Sequence, residues 1–354
     1  MKRSYLLVLF VLIVVRLTGQ PPAGYYNEAM GLSGTELQQA LHNIIKTHTA
    51  QSYSSLFLHF QSTDRKADLT IWDIYSDVPG GTPPYVYFYN AGMECGNYTG
   101  EGQCYNREHS WPRSWFGGSI MPMHSDLFHL YPTDGFVNNR RGNFPFGEVA
   151  NPTWTSMNGS MVGANISPGY SGVVFEPIDA YKGDLARTYF YMSVRYYGQD
   201  SGWPGSPMTT GSQLNPWALD LLRAWHVQDP VSDKELARNN AVYVIQANRN
   251  PFIDYPAFVN AIWGAASAID DPSDNLKISI YPIPVGEQCV ISFPNTKEGV
   301  IHLTVFDLSG RIHSLPYHRN NEGILLITEQ LLAGIYFVRI YLDHDFLGIA
   351  KFVK

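Results

Sequence analysis

Basic charge is in short supply in this sequence. Lysine and arginine number 24 against 31 acidic residues, a formal net charge of −7. Proteins that grip nucleic acid tightly along its length show a basic excess. The deficit excludes that mode and leaves room for local engagement of a few phosphates. Apolar runs of membrane-spanning length are also lacking. The run Tyr5 to Val15 is unbroken but too short to cross a bilayer as a helix. Lys2 and Arg3 precede it, and Arg16 and Thr18-Gly19-Gln20 end it. Residues 1–20 therefore read as a signal peptide, so an exported chain with no integral membrane segment in its mature form is expected. Cysteine is scarce too. The three present allow at most one intrachain bridge. Export favours it between Cys95 and Cys104, which close a glycine-rich loop. A bridge there stabilises by about 2–3 kcal/mol and pins the segment that follows. Cys289 reads as a small buried hydrophobe. Internal repeats and low-complexity tracts are absent.

The chain has 354 residues, 45% of them hydrophobic and 14% aromatic, which suits two globular domains with real cores. Residues 21–264 look like one mixed, helix-rich domain with little sheet signal. Thr35 to Thr47 places Leu37, Leu41, Ile44 and Ile45 on one helical side. Residues 184–197 predict a buried helix with Asp184 near its start, and 216–227 another opened by Pro216. Ser232 with Glu235 three later is a capping-box pattern that starts a third, to Gln246. Residues 69–75 fit a strand or a short apolar segment. From 265 the texture changes. Residues 265–276 read as a small, polar linker. Residues 277–354 carry short alternating runs separated by turn residues, the pattern of a small all-β, immunoglobulin-like sandwich.

Two segments carry chemistry. Tyr105-Asn106-Arg107-Glu108-His109-Ser110-Trp111-Pro112 sets a carboxylate beside an imidazole, with Arg107 and Arg113 flanking them. Asp134 to Asn143 sets the carboxamides of Asn138 and Asn139 beside Arg140 and Arg141. His109, tuned near neutrality, could take a proton from water. Glu108 and Asn138 could give two oxygens to a magnesium ion, with phosphate and water completing its shell. Arg140 or Arg141 could hold a phosphate in bidentate fashion. Side chains of adjacent strand residues point to opposite faces, so Glu108 and His109 share a site only if the strand ends there, as nearby Pro112 suggests. The bland readings are a turn or helix cap for the asparagines and a solvated surface for the arginines.

The blocks at 104–116 (CYNREHSWPRSWF), 125–148 (SDLFHLYPTDGFVNNRRGNFPFGE), 185–196 (LARTYFYMSVRY) and 246–252 (QANRNPF) together resemble bacterial endonuclease I. These are secreted and periplasmic non-specific nucleases with a ββα-metal, or His-Me finger, site. The resemblance implies an α+β fold for this domain and one bound Mg2+, with Mn2+ or Ca2+ able to substitute. It implies that His109 is the general base, that Glu108 and Asn138 bind the metal, and that Arg141 contacts phosphate. Asp126 and His129 would order the site from behind. Arg187 would either face the scissile phosphate or brace the fold, and Asn248 to Asn250 would close the domain. In the second domain, 280–285 (IYPIPV), 305–311 (VFDLSGR), 334–341 (GIYFVRIY) and 350–354 (AKFVK) resemble the C-terminal sorting domain of the type IX secretion system of Bacteroidetes, with Ile283 where the motif has Asn.

The expectation is a secreted, magnesium-dependent, sequence-tolerant endonuclease, a monomer that leaves 5′-phosphate and 3′-hydroxyl ends. DNA is the expected substrate, RNA the alternative, and the secretion machinery a partner through the second domain. Two other readings stand beside it. Cys104, His109, His124 and His129 contain zinc-binding residue types, but their spacing follows none of the usual zinc patterns. A non-enzymatic, adhesin-like surface protein would use the 23 tyrosines and 8 tryptophans for binding, yet has no need of a base beside a metal carboxylate.

Overall fold

The computed structural model describes residues 21–264, 278–292, 301–307, 311–320, 323–342 and 345–354. The expected signal peptide (1–20) and linker (265–276) lie outside the described residues. The chain divides into two compact units between Gly264 and Ala265. Among the described residues no helix is long and apolar enough to cross a membrane.

The first unit opens with α1 (Gly34–Ile45) and α2 (Leu56–Thr63). It continues with β1 (Tyr105–His109), β2 (Leu130–Asp134), α3 (Gly135–Arg141), β3 (Val149–Thr155), β4 (Met161–Asn165) and β5 (Val173–Glu176). Helix α4 (Lys182–Arg195) and a small hairpin of β6 (Thr209–Thr210) and β7 (Gln213–Leu214) follow, then α5 (Pro216–Gln228), α6 (Asp233–Gln246), α7 (Pro251–Asp254) and α8 (Phe258–Trp263). The expected helices lie where the apolar spacing put them. Leu37, Leu41 and Ile45 of α1 are buried. The capping box closes on α6: Ser232 accepts from the Glu235 backbone while Glu235 accepts from that of Ser232.

Helix α4 is buried on every side, and most of its charges are accordingly paired. Lys182 donates to Glu176 at 2.8 Å and reaches Glu148 at 3.0 Å. Arg187 donates to both oxygens of Glu235 at 2.5 and 2.8 Å, and Lys234 donates to Asp184 at 2.5 Å. Removing one partner of such a pair strands a buried charge and costs about 3–5 kcal/mol.

The expectation of little sheet fails in one place. Strands β3, β4 and β5 form an antiparallel sheet in that order. Strand β3 exposes most of its residues and carries Pro152 at a register irregularity, so it lacks apolar alternation. Residues 69–75 form no strand and make only isolated bridges, Ile71 with Arg65 and Thr70 with Phe88.

The second unit is built of β-strands: β8 (Ser279–Tyr281), β9 (Gln288–Ser292), β10 (Ile301–Asp307), β11 (Ile312–His313), β12 (Tyr317–Asn320), β13 (Gly323–Ile327), β14 (Ile335–Leu342) and β15 (Asp345–Val353). They form two antiparallel four-stranded sheets, ordered β11-β10-β14-β15 and β12-β13-β9-β8. Alternate residues of β9 and β13 turn inward, Cys289, Ile291, Ile324 and Leu326. They share one apolar cluster with Val305 and Val338 of the other sheet. Cys289 is a small core residue in this cluster.

Candidate active site

Strand β1 pairs antiparallel with β2, with Glu108 opposite Tyr131 and His109 opposite Leu130. Strand β2 runs without a break into α3 at Asp134, whose carboxylate caps the helix by accepting from the Val137 backbone at 2.8 Å. That carboxylate also accepts from the Tyr87 hydroxyl at 2.6 Å and the Gly102 backbone at 2.8 Å. The start of α3, and with it Asn138 one turn on, is thereby fixed against the segments that precede β1. Strand β1 stops at His109, and Pro112 leads into a short turn at Arg113–Trp115. The strand end lets Glu108 and His109 line one cavity of about 580 Å3, together with Asn106, Arg107, Arg113 and Asn138.

Several side chains in this cavity are held by distinct contacts. Glu108 is 2% exposed. Its Oε1 accepts from the Tyr75 hydroxyl at 3.0 Å and lies 3.3 Å from the Arg141 guanidinium. Burial pushes this carboxyl up, against the pull of Arg141 and Tyr75. Its Oε2 and the Asn138 carboxamide have no hydrogen-bond partner among the described residues. His109 Nε2 lies 3.1 Å from the His124 carbonyl oxygen. A carbonyl only accepts, so Nε2 carries the proton and Nδ1 keeps its lone pair. Burial, reinforced by the neighbouring His129, pushes His109 well below its ordinary range, so the ring is neutral at neutral pH. Tyr53 stacks on His124 at 4.1 Å and lies parallel to His109 at 5.8 Å, and Arg107 packs over the Tyr53 ring at 3.9 Å.

The remaining predicted residues separate. Arg141 does not reach the cavity. It is 1% exposed, and its guanidinium donates to the carbonyls of His109 (3.1 Å) and Ser110 (2.6 Å). Its place is behind β1, tying down the strand end and facing Glu108. Arg140 is exposed, packed over Phe136 and Trp154 at 4.9 and 5.9 Å. Arg187 braces α4 against α6 through its buried guanidinium and does not line the cavity of Glu108 and His109. Asp126 is buried and accepts from Tyr191 (2.9 Å), Tyr196 (2.8 Å) and Gln246 (3.0 Å). Burial alone would raise its pKa. The nearby His48 and His129 and the Gln246 hydrogen bond outweigh burial and hold it at about 2. His129 bonds the Met123 carbonyl at 2.6 Å and stands 5.4 Å from the His109 ring. Asn248 and Asn250 are buried and bonded between helices.

Cys95 and Cys104 form a disulfide with Cα atoms 5.6 Å apart. Cys104 is thus unavailable to a metal. Among the described residues no three His, Cys, Asp or Glu side chains gather as ligands, which removes the zinc reading. Sequence reasoning noted Arg113 only as a neighbour. It is exposed on the cavity wall, and its guanidinium makes no hydrogen bond among the described residues, while its backbone carbonyl accepts from Phe116 and Gly118. The sequence held no signal for Tyr53, which reaches the cavity from a distant segment, or for the part that Tyr98 of the Cys95–Cys104 loop plays in its wall.

A family model described as Endonuclease I matches residues 33–257, and one described as Secretion system C-terminal sorting domain matches residues 279–353. An extracellular ribonuclease of Bacillus amyloliquefaciens is 38% identical over 250 residues, 68% of this chain and 78% of that protein. An extracellular ribonuclease of Bacillus subtilis (strain 168) is 37% identical with the same coverage. An extracellular deoxyribonuclease of Aeromonas hydrophila is 29% identical over 133 residues, 37% of this chain and 50% of that protein. The sorting domain marks an exported or cell-surface protein. The chain belongs to the Endonuclease I family, hydrolases acting on nucleic acid, and carries a secretion-system sorting domain.

Proposed function

We propose that this protein is a secreted, metal-dependent endonuclease that hydrolyses phosphodiester bonds of DNA or RNA without sequence preference, acting as a monomer from a His-Me finger site. The observation that carries the reading is His109. It is a neutral ring with its free lone pair on Nδ1, held beside a buried carboxylate at a strand end.

The donors present suit a hard divalent cation such as Mg2+. Glu108 Oε2 and the Asn138 carboxamide oxygen are oxygen atoms without protein partners among the described residues, in a polar cavity with room for water and phosphate. Glu108 and Asn138 would hold the ion. Once bound, it supplies positive charge to the phosphoryl group and the leaving oxygen. The chain's own residues do the rest. His109 Nδ1 takes a proton from a water molecule as that oxygen attacks phosphorus. The P–O3′ bond breaks, O3′ takes up a proton, and 5′-phosphate and 3′-hydroxyl ends result. Arg113, rather than Arg141, neutralises the phosphate, and Arg107 supports it from the Tyr53 side. Arg141, Asp126 and His129 hold the parts in place.

In this reading residues 1–20 are the signal peptide, 21–264 the nuclease domain, 265–276 a linker, and 277–354 an immunoglobulin-like sorting domain. The test is cleavage of supercoiled plasmid and of structured RNA, with Mg2+ or with chelator. Wild type should nick in Mg2+ alone. His109→Ala should keep its melting temperature and lose about 10²–10⁴-fold in rate. A His109→Ala variant as fast as wild type would remove the base assignment.

A further inference from the structure

We infer that the disulfide-closed loop beside the active cavity seats a nucleobase of the nucleotide next to the scissile phosphate, and that the enzyme therefore favours strands unpaired at that position. The inference rests on the nuclease reading above. A second cavity of about 400 Å3 is lined by Gly96, Asn97, Tyr98, Thr99, Gln103 and Asn139. Tyr98 and Asn139 also line the active cavity, so a strand leaving the scissile phosphate on this side enters the second cavity. The two differ in charge. Arg107 and Arg113 line the first, while the second has no ionisable cation to hold a phosphate. It offers carboxamides, a hydroxyl and an aromatic ring instead, the groups that read base edges and stack on base faces.

The lining is organised in advance. The Thr99 backbone donates to Gln103 Oε1 at 2.9 Å, and Gln103 Nε2 donates to the Thr99 hydroxyl at 3.0 Å. Asn139 Nδ2 donates to the Tyr98 hydroxyl at 3.1 Å, which ties the loop to the residue after Asn138. The Tyr98 ring sits against Gly135, where a Cβ would lie 2.8 Å from the ring. Only glycine there leaves the ring its seat. Bases in a duplex are paired and stacked, so a stacking platform at this point reaches an unpaired one.

The test uses the full chain, with defined single-stranded oligonucleotides and matching duplexes in Mg2+. On single strands Tyr98→Ala should raise KM roughly 5- to 150-fold at nearly unchanged kcat, as loss of one stacked base predicts. Duplex cleavage should fall by a smaller factor than single-strand cleavage. Tyr98→Phe, which keeps the ring, should stay near wild type. An abasic residue placed stepwise beside the cleaved bond should penalise wild type at one position and leave Tyr98→Ala indifferent. Unchanged KM in a normally melting Tyr98→Ala would overturn the inference. Should that variant fail to fold, a wild-type enzyme insensitive to the abasic residue at every position overturns it equally. A wild type that cuts none of these substrates would instead sink the nuclease reading itself.

Discussion

Two adjacent arginines end α3, and they have opposite surroundings. Successive helical residues are turned about 100° apart, so one can be buried while the next faces water. The sequence could not say which, and the family resemblance chose the buried one, Arg141, for phosphate. What marks Arg141 as internal is long-range: the His109 and Ser110 carbonyls and Glu108. Arg141→Met should therefore destabilise the fold by about 3–5 kcal/mol, because Glu108 and the strand end lose their cation. Arg113→Ala should leave the melting temperature alone. It should also lower the salt dependence of substrate binding by about one unit of log–log slope. Equal melting temperatures for Arg141→Met and wild type would show that Arg141 does not support the strand end. Asp126 invites a test by pH. Its folded pKa of about 2 lies below the ordinary carboxylate value of 3.8. It therefore contributes stability above pH 4, roughly 2 kcal/mol, which is lost as pH falls through about 2. Asp126→Asn should be less stable at pH 6, and the gap to wild type should close between pH 4 and pH 2 in denaturant titrations.

At the scale of elements, legibility followed periodicity. Helices α1, α5 and α6 show in the sequence because their apolar spacing, Pro216 and the Ser232–Glu235 box are local signals. Strands β9, β10, β13, β14 and β15 show because their residues alternate. Strand β1 has no alternating apolar pattern, since Asn106, Arg107, Glu108 and His109 are polar for chemical reasons. What made the site legible was its residue content, not its pattern. The aromatic side of the site was illegible where Tyr53 forms it, because only tertiary packing brings that segment to the cavity. The loop from Cys95 to Cys104 was legible as a bridge but not as a lining. Cys95→Ser with Cys104→Ser should lower the unfolding free energy by about 2–3 kcal/mol. A wild-type unfolding midpoint in the double variant would mean that the loop is held by its backbone contacts alone.

The whole molecule joins a nuclease to a sorting domain, each with its own apolar core. Its acidic balance of −7 leaves attraction to phosphate to a few local arginines, so cleavage should weaken with added salt, with a slope set by those few contacts. The central claim is that one cavity, at the end of β1 and the start of α3, holds the divalent cation through Glu108 and Asn138. The most direct measurement is the Mg2+ dependence of single-turnover cleavage for wild type, Glu108→Gln and Asn138→Ala. Both variants should need markedly more Mg2+ for half-maximal rate while melting normally. Titration curves that superimpose on that of wild type would contradict the assignment and place the metal elsewhere.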